Sequence, residues 1–163
     1  MVLWQFELEL LPRAWFGETG EPIDVLYRNG NCDASIAWRD HQPTSDIQGQ
    51  MSSVLPVRKS WSNGLKLWGD EKRSDIRVWY EKNLVESIGI RVDVRGEVVP
   101  LLIKIVDLAN GLDCVFLLPE KKSLIRPNIF ELKKALSESD AFSFVEDPQQ
   151  FIASIESEKK DGA

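Results

Sequence analysis

Three short runs of alternating apolar and polar residues between positions 65 and 95 constrain the fold of this chain more than any other feature. The runs occupy residues 65–70, 75–81 and 87–95, and a charged turn separates the first two. Successive side chains of a β-strand point to opposite faces of a sheet, so each run can bury one face and leave the other in water. The pattern therefore predicts a three-stranded antiparallel meander.

The two faces of this predicted meander differ in composition. The first, an apolar core face, is predicted to hold Leu65, Leu67, Ile76, Val78, Tyr80, Ile88, Ile90, Val92 and Val94. The second is predicted to carry Lys66, Trp68, Asp70, Arg77, Trp79, Glu81, Arg91, Asp93 and Arg95. Tryptophan and arginine are over-represented among residues that supply binding energy at protein interfaces. The second face is therefore a candidate recognition surface for a protein partner.

The candidate binding residues on the second face are Trp68, Arg77, Trp79, Arg91, Asp93 and Arg95. A guanidinium can pair with a carboxylate or phosphate through two hydrogen bonds, so the R-x-D-x-R run at 91–95 suits an anionic partner. The same spacing also permits cross-strand ion pairs with Glu81 or Asp70, and this structural interpretation is favoured. A helix covering the face, or tryptophans lying flat under the arginines, are further structural alternatives.

Length and charge narrow the class of protein. A chain of 163 residues is long enough for one domain, which we expect to span residues 1–156 with a frayed tail at 157–163. The net charge is −6, and the segment from residue 146 onward, with five acidic and two basic residues, carries half of it. The basic residues are not clustered, so the sequence gives no indication of a nucleic-acid partner. Because the chain has no long apolar run and no basic leader, we expect a cytoplasmic protein without membrane contact.

Periodicity elsewhere predicts an α+β fold, in which an antiparallel sheet packs against about three helices, mainly in the carboxy-terminal third. Strands are predicted at residues 2–11, 54–58, 114–118 and 124–125, and a hairpin about Asn29-Gly30 joins strands 23–28 and 34–39. Helices are predicted at residues 96–111, 127–137 and 149–156. Residues 40–53 are predicted to be a long polar loop, and residues 142–145 to be extended.

The only histidine, His41, lies in the long polar loop and is the one catalytic candidate. A small enzyme that uses His41 with Asp40 or Asp46 as general acid or base is an alternative function. The spacing of this histidine and its neighbouring aspartates matches no metal-binding loop, and no nucleotide-binding or hydrolase signature is present. We therefore expect neither a metal nor a cofactor. Cys32 and Cys114 lie in no C-x-x-C pair and are interpreted as reduced thiols.

The order of these motifs resembles that of short, uncharacterised bacterial proteins. The features that carry the resemblance are L-K-L-W-G-D, I-R-V-W and I-R-V-D-V-R on strands, then a helix, L-D-C and a closing F-V-E-D-P-x-x-F. They cover roughly residues 60–152. The resemblance implies a single α+β domain of bacterial type, and it carries no established activity.

The sequence leads to three hypotheses from different functional classes. The first is a non-enzymatic protein-binding module, and its specific version is a bacterial immunity or accessory protein that masks its partner. The second is the small enzyme based on His41. The third is a structural subunit of a homo-oligomer, joined through the edges of strands. The lack of a catalytic motif in the sequence favours the first.

Overall fold

The computed structural model describes residues 2–19, 23–149 and 152–153. Its strands, in chain order, are β1 (Gln5–Pro12), β2 (Tyr27–Arg28), β3 (Asn31–Cys32), β4 (Val57–Arg58), β5 (Leu65–Gly69), β6 (Asp75–Glu81), β7 (Leu84–Asp93), β8 (Cys114–Leu118) and β9 (Ser123–Ile125). Its α-helices are α1 (Arg13–Thr19), α2 (Ser35–Trp38), α3 (Gln48–Ser52), α4 (Val99–Gly111), α5 (Ile129–Ser137) and α6 (Asp140–Glu146). The predicted α+β class is confirmed.

Seven of these strands form one antiparallel sheet in the order β4-β5-β6-β7-β1-β8-β9. The predicted meander forms β5 to β7, and β1 pairs with both β7 and β8 in the interior of the sheet. The two edge strands are short, with two residues in β4 and three in β9. Short edges offer few unpaired backbone groups to another chain.

One face of the sheet, here called the first face, carries the main hydrophobic core. Leu8, Ile90 and Ile76 lie side by side across β1, β7 and β6, and each is at most 1% exposed. Helix α4 adds buried side chains to the same core, and its proline lies in the first turn as predicted. The predicted aliphatic core positions of β6 and β7 are buried there, namely Ile76, Val78, Ile88, Ile90 and Val92, whereas Tyr80, also predicted as a core position, is only half-buried.

Trp68 of β5 also lies on the first face, contrary to prediction. It opposes Ile76 across the β5–β6 pair, and its side chain is 1% exposed. Its indole N–H donates a hydrogen bond of 3.0 Å to the Ser52 hydroxyl of α3. The prediction that Trp68 shares a surface with Trp79 is therefore wrong.

The side chains of β5 were assigned to the wrong faces of the sheet, because this strand buries side chains on both of its faces. Leu65 and Leu67 oppose Trp79 and Arg77 on the other face of the sheet, here called the second face. Both leucines are nevertheless buried. Because β5 has leucines on one side and a tryptophan on the other, its sequence does not show which side faces the main core. Only the hydrogen-bond register with β6 shows which face of the sheet each side chain occupies.

Two segments predicted to be extended are helical. Residues predicted as a strand at 34–39 form α2, and those at 142–145 lie within α6. A polar side chain precedes each of these two helices. The Asp33 carboxylate accepts the backbone N–H two residues on, and the Ser139 hydroxyl accepts the N–H three residues on. Such side chains satisfy N–H groups that the first turn of a helix leaves without partners.

The amino-terminal hairpin and the polar loop are shorter than predicted. Asn29 and Gly30 form the expected turn, with φ angles of 53° and 81°, but the paired strands β2 and β3 have only two residues each. Helix α3 occupies part of the loop predicted at 40–53. The helix predicted at 149–156 falls largely outside the described residues.

Gly69, at the end of β5, is expected to tolerate no side chain. Its φ is +86°, and a Cβ built on it would lie 2.3 Å from the Ser74 carbonyl oxygen. In a Gly69→Ala variant the backbone before β6 must shift, so we expect urea denaturation to show a loss of about 1 to 3 kcal/mol in the free energy of unfolding. Gly111→Ala is the control, since a Cβ there meets nothing within 4 Å. An equal loss in both variants would contradict this interpretation.

Candidate functional site

The second face of the sheet carries three arginines around one buried aspartate. Asp75 opens β6, and its side chain is fully buried. Arg91, its cross-strand neighbour in β7, donates from Nε to Oδ1 at 2.8 Å and from Nη2 to Oδ2. Arg77 Nε lies 3.5 Å, and Arg58 Nη2 lies 3.7 Å, from the same Oδ2 atom. We call these four residues the arginine cluster.

Positive charge exceeds negative charge within the arginine cluster, because three guanidinium groups share one carboxylate. The hydrogen bond to Asp75 raises the pKa of Arg91; burial opposes that rise, and the charges of Glu7 and Glu71 add to it. The Arg77 side chain is 39% exposed. Arg58 Nε is buried and has no hydrogen-bond partner among the described residues, whereas the Arg58 side chain as a whole is 29% exposed. A guanidinium has five N–H donors, so the cluster retains donors for a further anionic group.

Two tryptophans lie next to the arginine cluster. Trp79 follows Arg77 by two positions along β6 and therefore shares the second face. Its ring contacts that of Trp61 edge to face, with the ring centroids 5.8 Å apart. Trp61 is 74% exposed. A large exposed aromatic beside arginines has the composition of an interface hot spot.

Gly89 leaves a depression beside the arginine cluster. It lies between Arg77 of β6 and Glu9 of β1 in the register of the sheet. A Cβ built on it meets no heavy atom of the described chain within 4 Å, so the space above it is open. Because the neighbouring side chains project from the sheet, Gly89 forms the floor of a depression. We call the arginine cluster, Trp61, Trp79 and this depression the arginine surface.

Asp93 and Arg95 pair with each other rather than with the arginine cluster. Arg95 donates from Nη2 to Asp93 Oδ2 at 2.8 Å and from Nε to Oδ1 at 3.0 Å. Its guanidinium lies over the Trp4 ring, 4.0 Å from the ring centroid. Burial alone would raise the pKa of Asp93, but the hydrogen bonds and charge of Arg95 hold it below its usual value. These two candidate residues form a local ion pair stacked on an aromatic ring.

Of the candidate binding residues, the structure brings together Arg77, Trp79 and Arg91. The alternative interpretation of Arg91 as part of a cross-strand ion pair holds, but its partner is Asp75 rather than Glu81 or Asp70. Asp75 was not predicted as a member of the site, although its position in the sequence indicates the face on which it lies. It lies two positions before Arg77 in the same strand, and side chains two positions apart share a face.

Glu9 of β1, which projects from the second face, is a mostly buried acid. Burial raises its pKa to about 7, and the charges of Glu7 and Asp33 contribute to the rise. Its Oε2 atom has no hydrogen-bond partner in the described part of the chain. Burial also raises the pKa of Tyr27 and Cys32 to about 12, with a contribution from the Glu9 charge. The β2–β3 hairpin therefore lies close to Glu9.

His41, the histidine of the enzymatic alternative, is half-buried just after α2, and its backbone N–H bonds to the last residue of that helix. Asp46 Oδ1 accepts the N–H of Gln48 at the start of α3.

Burial raises the pKa of Cys32 and Cys114 to about 12, so both are neutral thiols near pH 7. Within the described ranges, no group of three His, Cys, Asp or Glu side chains is placed to hold a metal ion.

Comparisons with known proteins assign no family to the chain. No protein-family model, no curated protein and no solved structure matches it. None of the described helices combines the length and the apolar character needed to cross a membrane. Function is therefore inferred from the geometry of the arginine surface.

Proposed function

We propose that the protein is a non-enzymatic binding module that holds an acidic segment of a partner protein on its arginine surface. The observation that carries the proposal is the part-exposed arginine cluster beside the Trp61–Trp79 pair. Its excess of positive charge stands out in a chain whose net charge is −6. A partner carboxylate can pair with N–H donors of Arg58 and Arg77 that Asp75 does not use.

The tryptophans and the Gly89 depression supply the apolar part of the proposed contact. Trp61 can bury most of its ring against a partner, because it is largely exposed in the free chain. The open space above Gly89 leaves room for a partner group to approach the sheet. Complementary charge across an interface increases the rate of association and the specificity, so binding should weaken as salt is added.

Affinity capture from a lysate of the native host tests the proposal with two matched variants. The Trp61→Ser, Arg77→Gln variant removes an exposed aromatic and an arginine from the arginine surface. The Phe130→Ser, Arg126→Gln variant removes the same kinds of residue elsewhere, and Phe130 is 77% exposed. We expect a stoichiometric partner that wild type and the second variant retain and the first variant loses. Equal capture by all three folded proteins would contradict the proposal.

A single substitution at Gly89 tests the depression separately. Gly89→Val fills open space and places a β-branched residue inside a strand, so we expect the stability to be unchanged or increased. The affinity for the captured partner is expected to fall by about tenfold or more, because the partner loses its place in the depression. Calorimetric titration measures this affinity. A folded variant that binds as wild type does would exclude the depression from the site.

The specific role we propose is masking of the partner, as in a bacterial immunity or accessory protein. This role requires that the bound acidic segment belongs to the working site of the partner. Adding an equimolar amount of the protein to the captured partner should then abolish the activity of that partner. The Trp61→Ser, Arg77→Gln variant should leave the activity intact. Full partner activity within a formed complex would contradict the masking role.

A further inference from the structure

A cavity lies where the sheet splits beside β1. The pairing of β1 with β8 begins only at Glu9, so the earlier residues of β1 have β7 as their one strand neighbour in the described structure. Side chains from the end of α5, the start of α6 and the chain after β8 face this part of β1, and a cavity of about 240 Å³ remains between them. This cavity is distinct from the arginine surface.

The cavity has apolar walls and a small volume. Phe6, Leu118 and Ala141 line it, and each is at most 8% exposed. Pockets for drug-sized ligands typically measure about 300 to 1,000 Å³. The cavity is therefore suited to a single side chain or a molecule of similar size rather than to a large cofactor.

Three carboxylates also line the cavity, those of Glu7, Glu120 and Asp140. Burial raises the pKa of Glu120, the charges of Asp140 and Glu7 raise it further, and Lys121 opposes the rise. The ammonium of Lys121 donates to a carbonyl oxygen just after α5 at 3.1 Å. Arg91 is the cross-strand neighbour of Glu7. The acidic groups of the cavity are thus only partly balanced by cations of the chain itself.

Gln5 also lines the cavity, and it is itself a buried polar residue. Its side chain is 5% exposed, and its amide nitrogen donates to the carbonyl oxygens of Glu71, at 2.9 Å, and Arg73. These two bonds fix the orientation of the amide. The Oε1 atom has no hydrogen-bond partner among the described residues. A buried acceptor without a donor costs about 1 to 3 kcal/mol, so this wall of the cavity contains an unsatisfied polar group.

We propose that this cavity binds a protonated amine or guanidinium group on a short apolar stem. Such a group is present in a lysine or arginine side chain of a partner protein and in small alkylamines. The stem lies along the apolar walls, and the N–H groups reach the carboxylates of Glu7 and Glu120. The site is opposite in charge to the arginine surface and does not depend on the proposed function.

A titration of the isotope-labelled chain with n-butylguanidinium, followed by NMR, tests the cavity. We expect shifts of the backbone amides of Phe6 and Ala141 and a dissociation constant of about 1 mM, as suits so small a ligand. Uncharged n-pentanol is the matched ligand and should bind about tenfold more weakly. Glu120→Gln should weaken binding of the guanidinium about tenfold by removing a charged hydrogen bond. Glu97 is an exposed acid outside the cavity, so Glu97→Gln should leave the affinity for n-butylguanidinium unchanged.

The proposal is overturned if n-butylguanidinium causes no shifts at the cavity, if n-pentanol binds equally well, or if Glu120→Gln binds as wild type does. Glu7→Gln is a second variant with the same expected direction, in case the first folds poorly. A blocked peptide, acetyl-Gly-Arg-Gly-amide, distinguishes the two sources of the ligand. Tighter binding of the peptide than of n-butylguanidinium supports a partner side chain. Equal or weaker binding of the peptide supports a small alkylamine.

Discussion

Replacing Asp75 with asparagine is expected to lower the free energy of unfolding by about 3 to 5 kcal/mol, the usual cost of removing one partner from a buried ion pair. The carboxylate is fully buried and is the shared anion of Arg58, Arg77 and Arg91. Without its charge, the Arg91 guanidinium loses its neutralising partner, in a side chain that is only 14% exposed. Urea denaturation of the wild type and the variant measures the difference.

Asp70→Asn is the matched control for this substitution. Asp70 is exposed in the turn before β6, and its Oδ1 accepts the backbone N–H of Lys72, which an asparagine oxygen can also accept. We expect a change of about 0.5 kcal/mol or less, as for most surface substitutions. If Asp75→Asn cost no more than the control, Asp75 would not be what holds the arginine cluster together.

Replacing Glu9 with glutamine is expected to stabilise the protein at high pH by about 3 kcal/mol. The pKa of Glu9 is raised from 4.5 to about 7 by folding, so the native state holds this proton more tightly than the unfolded state. As pH rises from 4.5 to 7, the unfolded chain loses the proton first, and the free energy of unfolding falls. Each unit of pKa shift corresponds to about 1.4 kcal/mol, which gives the stated magnitude above pH 7.

Urea denaturation between pH 4 and pH 8 measures this dependence. The difference in stability between Glu9→Gln and wild type should be small at low pH, grow through the window between the two pKa values and level off above it. Glu97→Gln, which changes the same charge at an exposed position, should show no such growth. A difference that is constant across this range would mean that Glu9 titrates normally in the folded protein.

Side-chain alternation predicted the second face where a strand has a clearly polar side. In β6 and β7 Arg77 and Arg91 are each flanked by buried aliphatic residues, and Trp79 lies between a buried valine and a half-buried tyrosine. These three side chains were placed correctly on one face. In β5 no such contrast exists, so the position of Trp68 depended on a register that the sequence does not display. Within the meander, the predicted faces are correct in the two strands that have one predominantly apolar face, β6 and β7.

The remaining members of the site come from long-range pairing. Arg58 reaches Asp75 because β4 pairs with β5. Since β4 has only two residues, its sequence shows no alternation of apolar and polar residues from which the face of Arg58 could be predicted. Glu9 lies on the polar side of its strand, and its burial depends on segments such as the β2–β3 hairpin around Tyr27 and Cys32. Such burial is a tertiary property, and neighbouring sequence positions carry no signal of it.

The dissociation constant of the captured partner, measured by calorimetric titration, tests the central claim most directly. One hot-spot tryptophan or arginine contributes about 2 kcal/mol or more, and the contributions of neighbouring hot-spot residues do not simply add. Trp61→Ser, Arg77→Gln is therefore predicted to weaken binding by at least the roughly 30-fold that one such residue supplies. Phe130→Ser, Arg126→Gln is predicted to bind within about twofold of wild type. Equal affinities of the wild type and both folded variants would contradict the claim that the arginine surface binds the partner.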